Sequence, residues 1–409
     1  MKYYVESYGC TMNFGEGRGL SEDMASLGYQ PASSAEEADI VILNTCTVVE
    51  TTEKKMLSRI SELKKAGKEI VVTGCMAKVQ PRRIEIRLPD SPIVPPSEYR
   101  GFKDVIVQRF GVGGCAVPIE FGTDCILPIA QGCLGNCSYC ITKFARGALI
   151  SYPENELLDR FKGYIGNGAR EVLVTAQDVG SYGADNGTDL VQLIGSMLKS
   201  AGDYRIRLGM SNPDSLARIS DGLTTLMDDE RLYRFIHIPV QSGSNEVLKR
   251  MRRKYTIEKF MELVDDLRAA IPDISIATDL ICGFPGETDE DHELSKALIR
   301  ELRADTVNIT RFSARPGTDA ALMEQVHGRI SSERSAELTL VKNETELDVN
   351  RNLIGRTYKA LATENGKDGT ILRTGNYRPV VVRDSVPLGS FVDVKVTEAK
   401  STYLIGNLN

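Results

Sequence analysis

The stretch QGCLGNCSYC at residues 131–140 sets Cys133, Cys137 and Cys140 in a C-x3-C-x2-C spacing. Thiolates select soft metals, chiefly zinc and the irons of iron–sulfur clusters. A structural zinc site closes its shell with four ligands, usually as two separated pairs, and no second pair lies near this one. Three thiolates holding a [4Fe-4S] cubane would instead leave one iron with an open position. The triad follows the strand-like run CILPIA, so the open iron would face the mouth of a barrel, where a substrate binds.

A second set is spread along the first 80 residues. YGCTM, NTCTV and TGCMA each place a cysteine directly after a strand-like run: Cys10, Cys46 and Cys75. In a parallel sheet the carboxyl ends of all strands share one edge, so three cysteines there can converge. They imply another cluster on three thiolates, again with one open iron. Cys115, Cys125 and Cys282 join neither set and read as packing residues.

The elements that must position these cysteines fall into three segments. YYVESYG, DIVILNT and EIVVTG alternate with helix-period runs such as ETTEKKMLSRISELKKAG, giving a small parallel α/β domain over residues 1–110. Residues 88–125 are rich in Pro and Gly and read as a linker. Over 120–345, six strand candidates alternate with helical runs and predict a full or partial parallel barrel, with a doubly wound open sheet as the alternative. Residues 347–409 hold five short strands with Gly, Asn and Pro turns, the pattern of an OB-type β-barrel.

The bulk numbers agree. The chain has 409 residues, 42% hydrophobic and 26% charged, too many for one ordinary core. No run approaches the ~20 apolar residues of a membrane span, and MKYYVESYGC lacks the apolar core of a secretory signal. Nine cysteines in such a chain favour metal or catalytic use over disulfides, and a cytoplasmic location is expected. The net charge is −6, but from residue 347 onward nine Lys and Arg face six Asp and Glu. That mildly basic end suits an anionic partner.

The two cysteine sets together carry a resemblance. C-x3-C-x2-C after a first barrel strand is the signature of the radical S-adenosylmethionine (SAM) enzymes, and the whole chain resembles the methylthiotransferases of that superfamily. The resemblance implies two [4Fe-4S] clusters, on Cys10, Cys46 and Cys75 and on the catalytic triad Cys133, Cys137 and Cys140. SAM would be the fourth ligand of the second cluster, cleaved reductively to a 5′-deoxyadenosyl radical, while a second SAM supplies a methyl group and the net transfer is CH3–S. The implied fold is α/β: a small parallel N-terminal domain, a radical SAM partial (β/α)6 barrel and a C-terminal OB-like TRAM barrel. Implied partners are tRNA, an electron donor and a sulfur source; a monomeric chain and no membrane partner are expected by default.

YCITKFARG, HIPVQSGS and TDLICGFPGET resemble the archaeal and eukaryotic branch that acts at C2 of N6-threonylcarbamoyladenosine, position 37 of tRNA. Methylthiolation of isopentenyladenosine or of a ribosomal-protein aspartate is the alternative chemistry. A non-catalytic RNA-binding iron–sulfur protein is the alternative from another class. Lys78 departs from the pattern, since many members carry Gln at that place.

On this reading the barrel's strand ends carry SAM and the target base. Gln177, Asp178, Ser211, Gln241, Ser242, Gly283 and Gly286 are the candidates there. Arg146 is a candidate for a phosphate or carboxylate, or else a solvated arginine, and His237 reads as a satisfied strand histidine. Arg373, Tyr377, Arg378 and Arg383 interleave basic groups with an aromatic, a pattern suited to RNA contact or to an ordinary barrel face.

Overall fold

The computed structural model describes residues 1–48, 50–119, 121–367 and 369–409. Strands β1 (Lys2–Ser7), β2 (Ile40–Thr45) and β3 (Glu69–Gly74) lie side by side in parallel, flanked by the short strands Gln30–Pro31 and Ile93–Val94. In β2, Ile40 and Ile42 pack with Leu20 and Met24 of α1 (Thr11–Ser26). Val41 and Leu43 point the other way, toward Met56 and Ile60 of α2 (Glu50–Lys65). A strand covered on both faces reads as an unbroken apolar run, as β2 does.

The expected linker over 88–125 is partly structural. Ile93–Val94 pairs with β3, and the helix Phe102–Phe110 buries Phe102 and Ile106 in the core beside α1. Those two side chains stand one helical turn apart, a signal that the surrounding prolines and glycines mask.

Six parallel strands follow in space in chain order: β4 (Asp124–Pro128), β5 (Glu171–Thr175), β6 (Arg205–Leu208), β7 (Phe235–His237), β8 (Ser275–Cys282) and β9 (Thr306–Arg311). Parallel bridges Ile206–Leu232 and Met210–His237 join the two halves. Among the described residues β4 and β9 do not pair, so the barrel is partial. Helix α1 of the N-terminal sheet lies along the free edge at β4. A Cβ on Gly15 would come within 2.7 Å of Ile126 and 2.9 Å of Pro128, so the helix can approach only where it has no side chain. Arg18 Nη1 donates to the Asp124 carbonyl at 2.9 Å along the same contact.

The helix Gly328–Arg351 runs through residue 346, so the expected start of the last segment falls inside a helix. Five strands then close into a barrel: β10 (Thr357–Gly366), β11 (Gly369–Thr374), β12 (Pro379–Val382), β13 (Phe391–Ala399) and β14 (Leu404–Leu408). Their order is β10-β11-β12-β14-β13, with β12 and β14 parallel and the other neighbours antiparallel.

This small barrel caps the strand starts of the large one. Arg234 N donates to the Gly375 carbonyl at 3.0 Å, Asn376 Nδ2 to the Asp273 carbonyl at 2.9 Å, and Arg378 pairs with Asp305. The Tyr377 ring lies 4.9 Å from Tyr233 and 5.0 Å from Phe235, with Arg373 and Arg207 stacked on it at 4.7 and 4.8 Å. Arg373, Tyr377 and Arg378, offered by the sequence as RNA contacts, therefore sit in the seam between barrels. Alternation along a strand shows that two faces differ; it does not say which one meets a neighbour. Tyr377→Ala is expected to cost about 2 kcal/mol of stability, below the ~3–5 typical of a fully buried aromatic. Chemical denaturation would measure it, and an unchanged midpoint would show the seam to be inert.

Candidate active site

Cys10, Cys46 and Cys75 follow β1, β2 and β3, three neighbouring strands, and stand along one sheet edge. The turns that bring them together depend on glycine. Gly9 has φ +108°, and a Cβ there would lie 2.8 Å from Cys46 Sγ. Gly74 has φ +84°, and a Cβ would lie 2.2 Å from the Thr45 carbonyl. Asn13 ties the loops, donating to the Tyr8 and Thr45 carbonyls at 2.6 and 3.1 Å while its own carbonyl accepts from Asn44 at 2.6 Å. Burial pushes the Cys75 thiol up to about 11, opposed by the Arg146 charge and reinforced by Cys46 and Cys10. The Cys75 thiol thus lies in the field of the other two.

The second triad lies in the loop after β4. Gly132 has φ +82° and no room for a Cβ, which would fall 1.9 Å from the Ala148 carbonyl. Its N–H donates to Gln177 Oε1 at 2.7 Å. Gly135 N donates to Cys133 Sγ at 3.2 Å, and Arg253 Nη1 donates to Cys137 Sγ at 3.2 Å. Burial pushes the Cys133 thiol up to about 11, eased by the Gly135 N–H. Ser138 pins the loop, its Oγ donating to the Arg250 carbonyl at 2.8 Å and its N to the Met251 carbonyl at 3.1 Å.

Among the described residues no three His, Cys, Asp or Glu side chains are gathered for a single metal ion. A cubane takes each thiolate on a different iron, so its ligands stand farther apart than those of one ion. Three thiols per loop cluster, glycine-lined turns and N–H donors aimed at sulfur form a donor set that fits such a group.

The two triads are joined. Helix α3 (Cys75–Val79) packs against α4 (Thr142–Arg146), which begins two residues after Cys140. From α4, Arg146 enters the N-terminal unit, pairs with Glu16 and donates through Nη2 to Asn13 Oδ1 at 2.6 Å. Arg146 is 3% exposed and Glu16 7%. A second buried arginine, Arg315, follows β9, pairs with Glu53 and donates to Thr47 Oγ1 at 3.2 Å, one residue beyond Cys46. Both arginines reach from the six-stranded barrel to the loops that carry the first triad.

The strand-end candidates have distinct surroundings. Asp178 is buried and accepts from Ser181 Oγ, Asn212 N, Asn212 Nδ2 and Ser215 Oγ at 2.7–3.1 Å, so it organises its neighbours. Ser211 is buried against Gly180, and Ser242 Oγ accepts from Ser244 N at 3.2 Å. Gly283 makes room for the helix Gly328–Arg351, since a Cβ there would lie 2.1 Å from Ser331 Oγ. A Cβ on Gly286 would meet Arg250 at 3.5 Å. Gln241 differs from these: it has φ +74°, and its buried Oε1 has no hydrogen-bond partner among the described residues. Such strained backbone gathers at ligand sites. His237 Nε2 lies 2.9 Å from Asp279 Oδ1, a satisfied pair.

Matches to known families follow the same division. Residues 2–94 match the uncharacterized protein family UPF0004, 127–298 the radical SAM superfamily, and 350–408 the TRAM domain. A radical SAM methyltransferase from Kitasatospora setae, solved with cobalamin and a [4Fe-4S] cluster, aligns with TM-score 0.57 at 12% identity, over 78% of this chain and 76% of its own. Fold and cysteine loop together define a radical SAM enzyme, which uses an iron–sulfur cluster and SAM. Full-length similarity narrows this. A probable threonylcarbamoyladenosine tRNA methylthiotransferase of Pyrococcus horikoshii is 38% identical over 100% of this chain and 99% of its own length. The human threonylcarbamoyladenosine tRNA methylthiotransferase is 33% identical over 99% of this chain and 73% of its own. The chain belongs to the threonylcarbamoyladenosine tRNA methylthiotransferase family. Among the described residues no helix is long and apolar enough to cross a membrane.

Proposed function

We propose that this protein replaces the C2 hydrogen of N6-threonylcarbamoyladenosine, at position 37 of a tRNA, with a CH3–S group. The observation that carries this reading is the joining of two thiol triads through α3, α4 and Arg146. When bound, one cluster on each triad together with SAM supplies the hydrogen abstraction, the sulfur and the methyl group. The chain's own residues hold and orient. Cys133, Cys137 and Cys140 ligate one cluster, and Cys10, Cys46 and Cys75 the other. The Gly135 N–H and the Arg253 guanidinium support negative charge on the second triad's sulfurs. Gln177 fixes the start of its loop, and the buried Gln241 Oε1, without a partner among the described residues, would accept a hydrogen bond from a bound cofactor.

Phe14, Leu134 and Phe144 are exposed within four residues of a cluster cysteine, as 48%, 46% and 54% of their surfaces show. An unpaired base of an anticodon loop can stack on the two phenyl rings and pack against the leucine. Arg383 of the C-terminal barrel is exposed and free to meet a phosphate. Arg383→Ala is expected to weaken tRNA binding and to reduce the salt slope by about 1. A slope unchanged in filter binding across salt concentrations removes it from the RNA contacts.

The reaction is tested by anaerobic incubation of reconstituted protein with SAM, a reductant and tRNA carrying threonylcarbamoyladenosine, followed by nucleoside mass spectrometry. Methylthiolated product supports the proposal; product only from isopentenyladenosine tRNA overturns the substrate assignment. Iron content should be about eight per chain, falling to about four in Cys133→Ala/Cys137→Ala/Cys140→Ala. About four irons in the parent and none in the variant would leave the N-terminal cysteines without a cluster.

A further inference from the structure

Arg253 lies more than a hundred residues from the cysteines in sequence, yet its guanidinium is fixed beside one of them. Nη1 donates to Cys137 Sγ at 3.2 Å, Nη2 to Asn212 Oδ1 at 2.7 Å, and Nε to the Tyr255 hydroxyl at 3.0 Å. The group also lies 5.1 Å from the Tyr255 ring centroid. Asn212 is held in turn by Asp178, which it meets through both its backbone N and Nδ2. The carbonyls of Arg250 and Met251, just before Arg253, clamp Ser138 between Cys137 and Cys140. One segment therefore fixes the loop and aims a cation at its sulfur.

The missing counter-charge is informative. The fully buried arginines among the described residues, Arg146, Arg205, Arg315 and Arg334, each pair with a carboxylate. Among the described residues the half-buried Arg253 has none, and its partners are a side-chain amide, one backbone carbonyl oxygen, a phenol and a thiol. Cys137 is the only one of these that is ionised when it binds iron. A half-buried cation without an anion is costly, and a thiolate-ligated cluster supplies the negative charge. When that cluster accepts one electron from a low-potential donor its negative charge grows by one, and a fixed cation nearby favours the reduced state.

We propose that Arg253 is a positioning residue that, through its N–H···S bond to Cys137 and its fixed charge, raises the reduction potential of the Cys133/Cys137/Cys140 cluster. The proposal rests on the reading of those cysteines as cluster ligands.

The test is a redox titration followed by electron paramagnetic resonance, with dithionite as the one-electron reductant. The parent is the full chain with Cys10, Cys46 and Cys75 changed to Ala, so that one cluster is read. Arg253→Gln is expected to keep its iron and show a more negative midpoint potential. Arg253→Lys keeps the charge without the fork and is expected to fall between the two. An unmoved potential in Arg253→Gln overturns the proposal; if that variant takes up no iron, an unmoved potential in Arg253→Lys does so. Loss of iron from both variants also overturns it, because tuning leaves the site able to hold its cluster. A parent with no cluster signal refutes the reading of the thiols instead.

Discussion

Arg146→Leu is expected to cost about 3–5 kcal/mol of stability, because it leaves Glu16 buried opposite no cation. Glu16→Leu is expected to cost a similar amount, since it strands the guanidinium. The double variant should be far less destabilised than the two single effects summed, because neither charge then remains. Chemical denaturation of the four proteins measures this cycle. If Arg146→Leu costs under ~1 kcal/mol, the pair does not hold the seam between sheet and barrel. Arg146 also stands in the field of Cys75, so the same substitution should disturb the iron-loaded N-terminal site, read by its electron paramagnetic resonance signal.

The second large effect separates the two triads. Cys10→Ala/Cys46→Ala/Cys75→Ala is expected to hold about half the iron of the parent. It should still cleave SAM to 5′-deoxyadenosine under reducing conditions, yet yield no methylthiolated tRNA. The fold should survive: Cys46 and Cys75 are buried, but each loses only a sulfur, and the turns are set by Gly9, Gly74 and Asn13. Retained methylthio product would mean that the sulfur comes from elsewhere. Lost SAM cleavage with full iron at the other triad would mean that the sites depend on each other for more than sulfur.

Much of this architecture is legible in the amino-acid sequence. Cysteines that end strands in a parallel sheet converge for a topological reason, and the C-x3-C-x2-C loop announces itself by spacing alone. Arg146 stands out only as a carboxylate or phosphate candidate, without its partner, and Arg253 and Arg315 do not stand out at all. Each acts on a loop far away in sequence, and no local pattern tells a buried arginine from a solvated one. Asp178 reads as a ligand contact because it ends a strand, whereas four internal donors already surround it. The helix Phe102–Phe110 is hidden by the prolines and glycines around it, and the side of the C-terminal barrel that meets its neighbour depends on a tertiary contact.

The placement of the small barrel has a geometric consequence. It sits at the strand starts, whereas the cysteines stand at the strand ends. A five-residue strand such as β4 or β5 spans about 17 Å. A nucleic acid held by the small barrel would reach the chemistry only by running that distance along the outside. The six-stranded barrel would then work as a caliper: its height, rather than any base it touches, would set how far from the grip a nucleotide must lie to be altered.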